Sequence, residues 1–96
     1  MDVVLGNFEW DSSKDSINRQ KHGVAFADAV EIFEGRYLKV RSDRSGETRW
    51  LAIGSASERV IAVIYAERGG RLRIISARTA RKSERETYFK LTEDTS

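Results

Sequence analysis

"RVIAVIYAERGGRLRIIS", residues 59–76, decides the fold. A run rich in β-branched residues reaches Glu67, meets Gly69-Gly70 and returns through Arg71–Ser76. Two adjacent glycines accept the positive φ angles of a primed turn, so the stretch reads as an antiparallel hairpin with a two-residue loop. That loop sets Arg68 opposite Arg71, Ala66 opposite Arg73 and Ile64 opposite Ile75. Glu67, Tyr65, Val63 and Ile61 then share the other face with Leu72, Ile74, Ser76 and Arg78. The pattern predicts a core built on Ile61, Val63, Leu72 and Ile74, with Arg68, Arg71 and Arg73 clustered on the opposite face. Three neighbouring guanidiniums repel one another unless an anion joins them.

The cations continue past the hairpin. Residues 65–88 hold seven Lys and Arg against three Glu, a local charge of +4, whereas residues 1–64 and 89–96 each carry −1. A net charge of only +2 over 96 residues is therefore concentrated, which favours a site over a generally sticky surface. The chain length suits one domain with a single core, and 40% hydrophobic with 33% charged residues argues against disorder. Absence of cysteine excludes disulfides and fits a reducing compartment. "MDVVLGNFEW" carries Asp2 where a signal peptide wants Lys or Arg, and its apolar stretch is too short to span a membrane, so the expected location is cytoplasmic.

Upstream of the hairpin, "FEW" (8–10) reads as a strand. Asp11 or Ser12 then caps a polar helix that runs to His22 and stops at Gly23. Phe26, Ala29, Val30 and Phe33 follow i, i+3, i+4, i+7 spacing, a second helix ended by Gly35. "RYLKVRS" (36–42) alternates as a strand, "DRSGE" (43–47) is a loop, "TRWLAIG" (48–54) a strand and "SASE" (55–58) a turn. "RKSERETYFKL" (81–91) closes the chain as a helix, with Thr79 or Ser83 as its cap. Two N-terminal helices, an antiparallel sheet and a C-terminal helix make an α+β fold.

"FEWD" (8–11), "KHGV" followed by Phe26 (21–26), Gly46-Glu47 with Arg49, "ERG" (67–69), "RIISAR" (73–78), and Glu84, Arg85 and Tyr88 occur in one order and spacing. Over roughly residues 8–90 this set resembles the BrnT family of bacterial type II toxins. The resemblance implies a small RelE-like domain covering the chain, 1–96, that cleaves RNA without metal or other cofactor. It also implies neutralisation by a BrnA-type antitoxin, in a hetero-oligomeric complex that binds operator DNA through the antitoxin. Three positions depart from the family pattern: Ser12 stands in place of a proline, Ala25 of a serine and Arg81 of a threonine. All three are turn or cap changes, and they bear on stability more than on chemistry.

His22 is the sole histidine. Imidazole suits a general base for the ribose 2′-hydroxyl or an acid for the leaving 5′-oxygen; a histidine ending a helix also satisfies the helix dipole. Lys21 reads as a phosphate clamp or as a solvated helix residue. Glu67 is a candidate base tuned by Arg68, or half of a surface ion pair, and Glu47 with Arg49 carries the same two readings. Arg68, Arg71 and Arg73 suit a scissile phosphate and its neighbours, with Arg78 and Arg81 tracking further phosphates. The same cations equally suit an acidic protein partner. Phe26, Phe33 and Tyr65 read as core, while Trp10, Trp50 and Tyr88 either pack inward or stack on unpaired bases. One histidine, no cysteine and dispersed carboxylates leave no zinc or two-metal set, and no nucleophile elbow or Walker loop is present. The expected enzyme is an endoribonuclease using the 2′-hydroxyl as nucleophile. The rival is a non-enzymatic basic module, or an inactive toxin, that binds an antitoxin and assists operator repression.

Overall fold

The computed structural model describes residues 1–93. Its elements are β1 (Asp2–Leu5), β2 (Phe8–Asp11), α1 (Ser12–His22), α2 (Phe26–Ala29), a 3-10 segment (Val30–Glu34), β3 (Tyr37–Arg41), β4 (Trp50–Ala56), β5 (Arg59–Arg68), β6 (Arg71–Thr79) and α3 (Lys82–Glu93). The six strands form one sheet in the order β1-β2-β6-β5-β4-β3. The α+β class holds, with two corrections. The chain opens on a β-hairpin rather than on helices, because Val3 and Val4 pair with Trp10 and Glu9 across a turn at Gly6. The sheet is mixed, not antiparallel, since β2 runs parallel to β6 through Phe8↔Leu72 and Glu9↔Arg73.

The second helix is also shorter than its pattern implies. One α-turn, Phe26–Ala29, passes into the 3-10 segment. Three residues per turn then align Phe26, Ala29 and Ile32, each 1% exposed or less, and leave Phe33 only partly buried. The backbone at Ser12, near Ala25 and at Arg81 is satisfied locally in each case. The Ser12 N–H, which proline would lack, donates to Met1 C=O at 2.8 Å. Asp15 of α1 accepts the Phe26 N–H at 2.9 Å, replacing the cap Ala25 does not supply. Glu84 reaches back to the Arg81 N–H at 2.7 Å, so neither Thr79 nor Ser83 caps α3.

Both sheet faces are covered. On one, α1, α2 and the 3-10 segment pack on a core that includes Trp10, Phe26, Ile32, Val63, Tyr65 and Ile74. On the other, Tyr88 and Ala80 close over Ile53, Val60 and Ala62. This is why Val60–Val63 shows no alternation: β5 is buried on both sides. Each large, fully buried side chain contributes about 1.5–3 kcal/mol. Trp10 and Tyr88 are therefore core residues, 4% and 8% exposed, rather than base-stacking surfaces.

The hairpin turn forms as expected, with Gly69 and Gly70 at φ 56° and 80° and with Arg68↔Arg71 and Ala66↔Arg73 in register. Beyond Tyr65↔Ile74 the register slips, and Ile64 meets Ser76 rather than Ile75. Ile75 is the extra residue of a β-bulge. Ser76 and Arg78 thereby leave the face of Ile74 and join the face of Arg73, while Ala77 turns into the core.

The bulge lies beside an edge problem. After two residue pairs β2 diverges from β6, which exposes the β6 backbone. Asn18 fills the gap: its Oδ1 accepts the Ala77 N–H at 3.1 Å, and its Nδ2 donates to Ala77 C=O and Val24 C=O, both at 2.8 Å. Both donor hydrogens of a 5%-exposed carboxamide are thus used. Asn18→Ala should cost about 2–4 kcal/mol in chemical denaturation, since three buried backbone groups lose their partner. Asn18→Asp should not restore it, because a carboxylate cannot donate to the two carbonyls.

Asp11 caps α1, accepting the Ser13 hydroxyl at 2.6 Å and the Ser13 N–H at 2.8 Å. Those bonds hold its carboxyl at about 2, below the ordinary 3.8. A depressed carboxyl stabilises the fold fully above its unfolded value and loses that contribution as pH falls toward its folded value. Denaturation series between pH 4 and pH 2 should show stability falling in wild type and falling less steeply in Asp11→Asn; equal slopes would remove Asp11 from the acid response.

Candidate functional site

On the α3 side of the sheet, side chains line up across the strands. α3 covers the row Leu38–Ile53–Ala62, and Arg78 ends that row. The next row, Val40–Leu51–Ile64–Ser76, is only partly covered, and Ile75 adds a further aliphatic group to it. Beyond it lie Arg49, Ala66, Arg73 and Glu9. Two depressions meet over Ile75 and Ser76. One, of about 190 Å³, is walled by Lys14, Ile17, Lys21 and His22 of α1. The other, of about 270 Å³, is walled by Ser42, Arg44, Arg49 and Ile64. Together they form a groove with an aliphatic floor and cationic ends.

Local sequence positions these cations. Lys14, Ile17, Asn18 and Lys21 follow i, i+3, i+4, i+7 spacing, so the face that Asn18 docks to β6 also carries the lysines. Arg44 sits in a tight turn, with backbone bonds to Glu47 at 3.0 and 2.9 Å across Ser45 and Gly46. Its guanidinium has no partner among the described residues, and neither have the side chains of Lys14, Lys21 and His22. Arg49 lies 3.5 Å from Glu47.

Most of the arginines singled out in the sequence meet carboxylates of their own chain. Arg73, with its side chain 18% exposed, donates to Glu9 at 2.6 Å and to Asp2 at 2.9 Å. Those two carboxylates raise its pKa, and Arg73 in turn holds Asp2 low. Arg78 grips both oxygens of Glu84 at 2.7 and 3.0 Å, which keeps that carboxyl below its usual range. Arg68 lies 3.3 Å from Glu47. The anions that the cluster requires are thus largely internal. Arg71 is exposed and has no side-chain partner among the described residues. Arg81, also exposed, engages Glu84 through its backbone.

The structure brings Lys21 and His22 to the groove and leaves Arg68 and Arg71 at the hairpin tip on the same face. At about 3.3 Å per residue, Arg71 lies roughly 17 Å from Ser76 along β6. Glu67 stands on the opposite face, 3.2 Å from Lys39, which also lies 4.2 Å over the Trp50 ring. Trp50 is therefore covered by cations. Sequence reasoning missed Lys14, Asn18 and Arg44. The helical spacing of Lys14 with Lys21 was visible, but nothing local showed that this face meets the sheet.

Among the described residues no three His, Cys, Asp or Glu gather as a metal site, and no helix is long and apolar enough to cross a membrane. A search of curated proteins finds no match. Residues 10–84 do match a family model, that of the ribonuclease toxin BrnT of type II toxin–antitoxin systems. With the matched stretch running from Trp10 at the end of β2 into the first turn of α3, and so containing the whole groove, the chain belongs to the BrnT toxin family.

Proposed function

We propose that this toxin is a metal-independent endoribonuclease that holds RNA across the Ile75–Ser76 groove and cleaves it by attack of the ribose 2′-hydroxyl. The observation that carries this reading is the sorting of the cations. Arg68, Arg73 and Arg78 are closed by carboxylates, whereas Lys14, Lys21 and Arg44 converge with His22 on one groove without an internal counter-ion.

In this mechanism the 2′-oxygen bonds to phosphorus, the P–O5′ bond breaks, and a 2′,3′-cyclic phosphate and a 5′-hydroxyl are left. His22 carries a proton in one of the two transfers, since histidine is the side-chain type that titrates near neutrality. Lys21 and Arg44, with Arg49 beside them, offset the charge that gathers on the phosphorane oxygens. Arg68, Arg71 and Arg81 line the flanks along which further phosphates pass. Glu67 is left out of the chemistry because the sheet separates it from the groove. Family membership supports an antitoxin partner. We take that partner to be BrnA-type, the complex to bind operator DNA through it, residues 1–96 to act as one toxin domain, and the location to be cytoplasmic.

Purified protein should cut RNA in excess EDTA and leave cyclic phosphate ends, with His22→Ala slower by about 10²-fold or more. Activity that disappears in chelator and returns with magnesium would overturn the mechanism. Intact RNA beside well-folded wild-type protein would favour the binding-module reading.

The arginines should separate in a second measurement. Arg71→Ala should lower RNA cleavage with little change in melting temperature, because an exposed, unpaired cation does not hold the fold together. Arg73→Ala should instead reduce stability by about 1–2 kcal/mol, as two charge-assisted bonds to β1 and β2 disappear.

A further inference from the structure

We infer that the aliphatic pair Ile64–Ile75 is the seat of an unpaired nucleobase, so that the substrate is single-stranded RNA; this rests on the ribonuclease reading. Strand register sets Ile64 beside Ser76, the bulge adds Ile75 next to them, and both isoleucines are only partly buried at the edge of one depression. The bulge is what makes the floor. Two consecutive residues, Ile75 and Ser76, line both depressions, while their neighbours Ile74 and Ala77 are 2% and 0% exposed in the core on the other side.

An apolar floor framed by cations favours a ligand with a flat apolar face and negative charge within one residue's length of it. An unpaired nucleotide has both. A base splayed from its strand covers the aliphatic groups while its phosphate meets Lys21 on one side or Arg49 on the other. Bases in a duplex are stacked face to face and bring only their edges to a protein surface, which leaves this floor uncovered. A helical peptide, about 10–12 Å across, is wide for depressions of about 190 and 270 Å³ that meet over Ile75 and Ser76. The hydroxyls of Ser42 and Ser76 add polar contacts at the groove walls that suit base edges or ribose.

The test maps the cut on a short single-stranded oligoribonucleotide, then replaces the base on each side of the scissile bond with an abasic ribose. Wild type should lose at least about 10-fold in kcat/KM on one of the two abasic substrates, the scale expected when one base–protein contact is removed. Ile75→Ala and Ile64→Ala should cut the intact oligonucleotide more slowly and be nearly indifferent to the missing base, and Ile75→Val should lie between them and wild type. A complementary strand should protect the site. Equal cleavage of intact and abasic RNA by wild type, equal cleavage of duplex, or isoleucine variants that lose the same factor on every substrate would each overturn the assignment. Variants that cut all substrates like wild type but no longer bind the antitoxin would make the floor a protein-docking surface and overturn it too. Failure of wild type to cut even the intact strand would instead refute the ribonuclease reading.

Discussion

The Asn18 carboxamide against the Ala77 backbone is the interaction on which the arrangement of this molecule depends. β2 accompanies β6 for two residue pairs and then becomes α1, so the rest of the β6 edge would be left without partners. A buried strand edge cannot remain unsatisfied, and only a side chain with one acceptor and two donors in one plane substitutes for a neighbouring strand. Asn18 does so and fixes α1 along the edge. Lys14 and Lys21, one turn to either side of it, are carried to the groove by the same docking.

A single inserted residue has consequences of similar reach. Without the bulge at Ile75, strict alternation would point Ser76 and Arg78 toward the first core and Ala77 away from it. With it, Ala77 packs inward, Arg78 reaches Glu84 of α3, and Ile75 with Ser76 opens onto the groove. The bulge and the Asn18 contact are neighbours in sequence and act together. One sets the phase of β6, and the other satisfies the backbone where that phase changes.

The excess of arginine in residues 65–88 has a divided meaning. Arg73 ties the N-terminal hairpin to β6, and Arg78 ties β6 to α3; each is partly buried and answered by carboxylates distant in sequence or in the next element. Such arginines hold the fold together and contribute little free charge. Arg71, together with Lys14, Lys21 and Arg44 around Ile75–Ser76, has no side-chain partner among the described residues, and these are the cations available to an anionic ligand. A segment charge of +4 therefore overstates the free charge at the hairpin and leaves out the unpaired cations of α1 and of the turn at Arg44.

Local chemistry was enough to determine several elements of this protein from its sequence. Gly69-Gly70 requires a primed turn, Asp11 and Gly23 bound α1, and β-branched residues mark β5 and β6, because each signal acts within a few residues. The ordered motifs from "FEWD" to Tyr88 were likewise enough to point to the family. The tertiary structure alone decided the rest. In α1 the apolar Ile17 is 61% exposed and the polar Asn18 is buried, an inversion that depends on a strand edge 59 residues away. Val3 and Val4 form a strand only because "FEWD" lies opposite them, and Arg73 is neutralised only because β2 runs parallel to β6. Register, edge satisfaction and charge pairing are properties of elements brought together, and no window of sequence contains both partners.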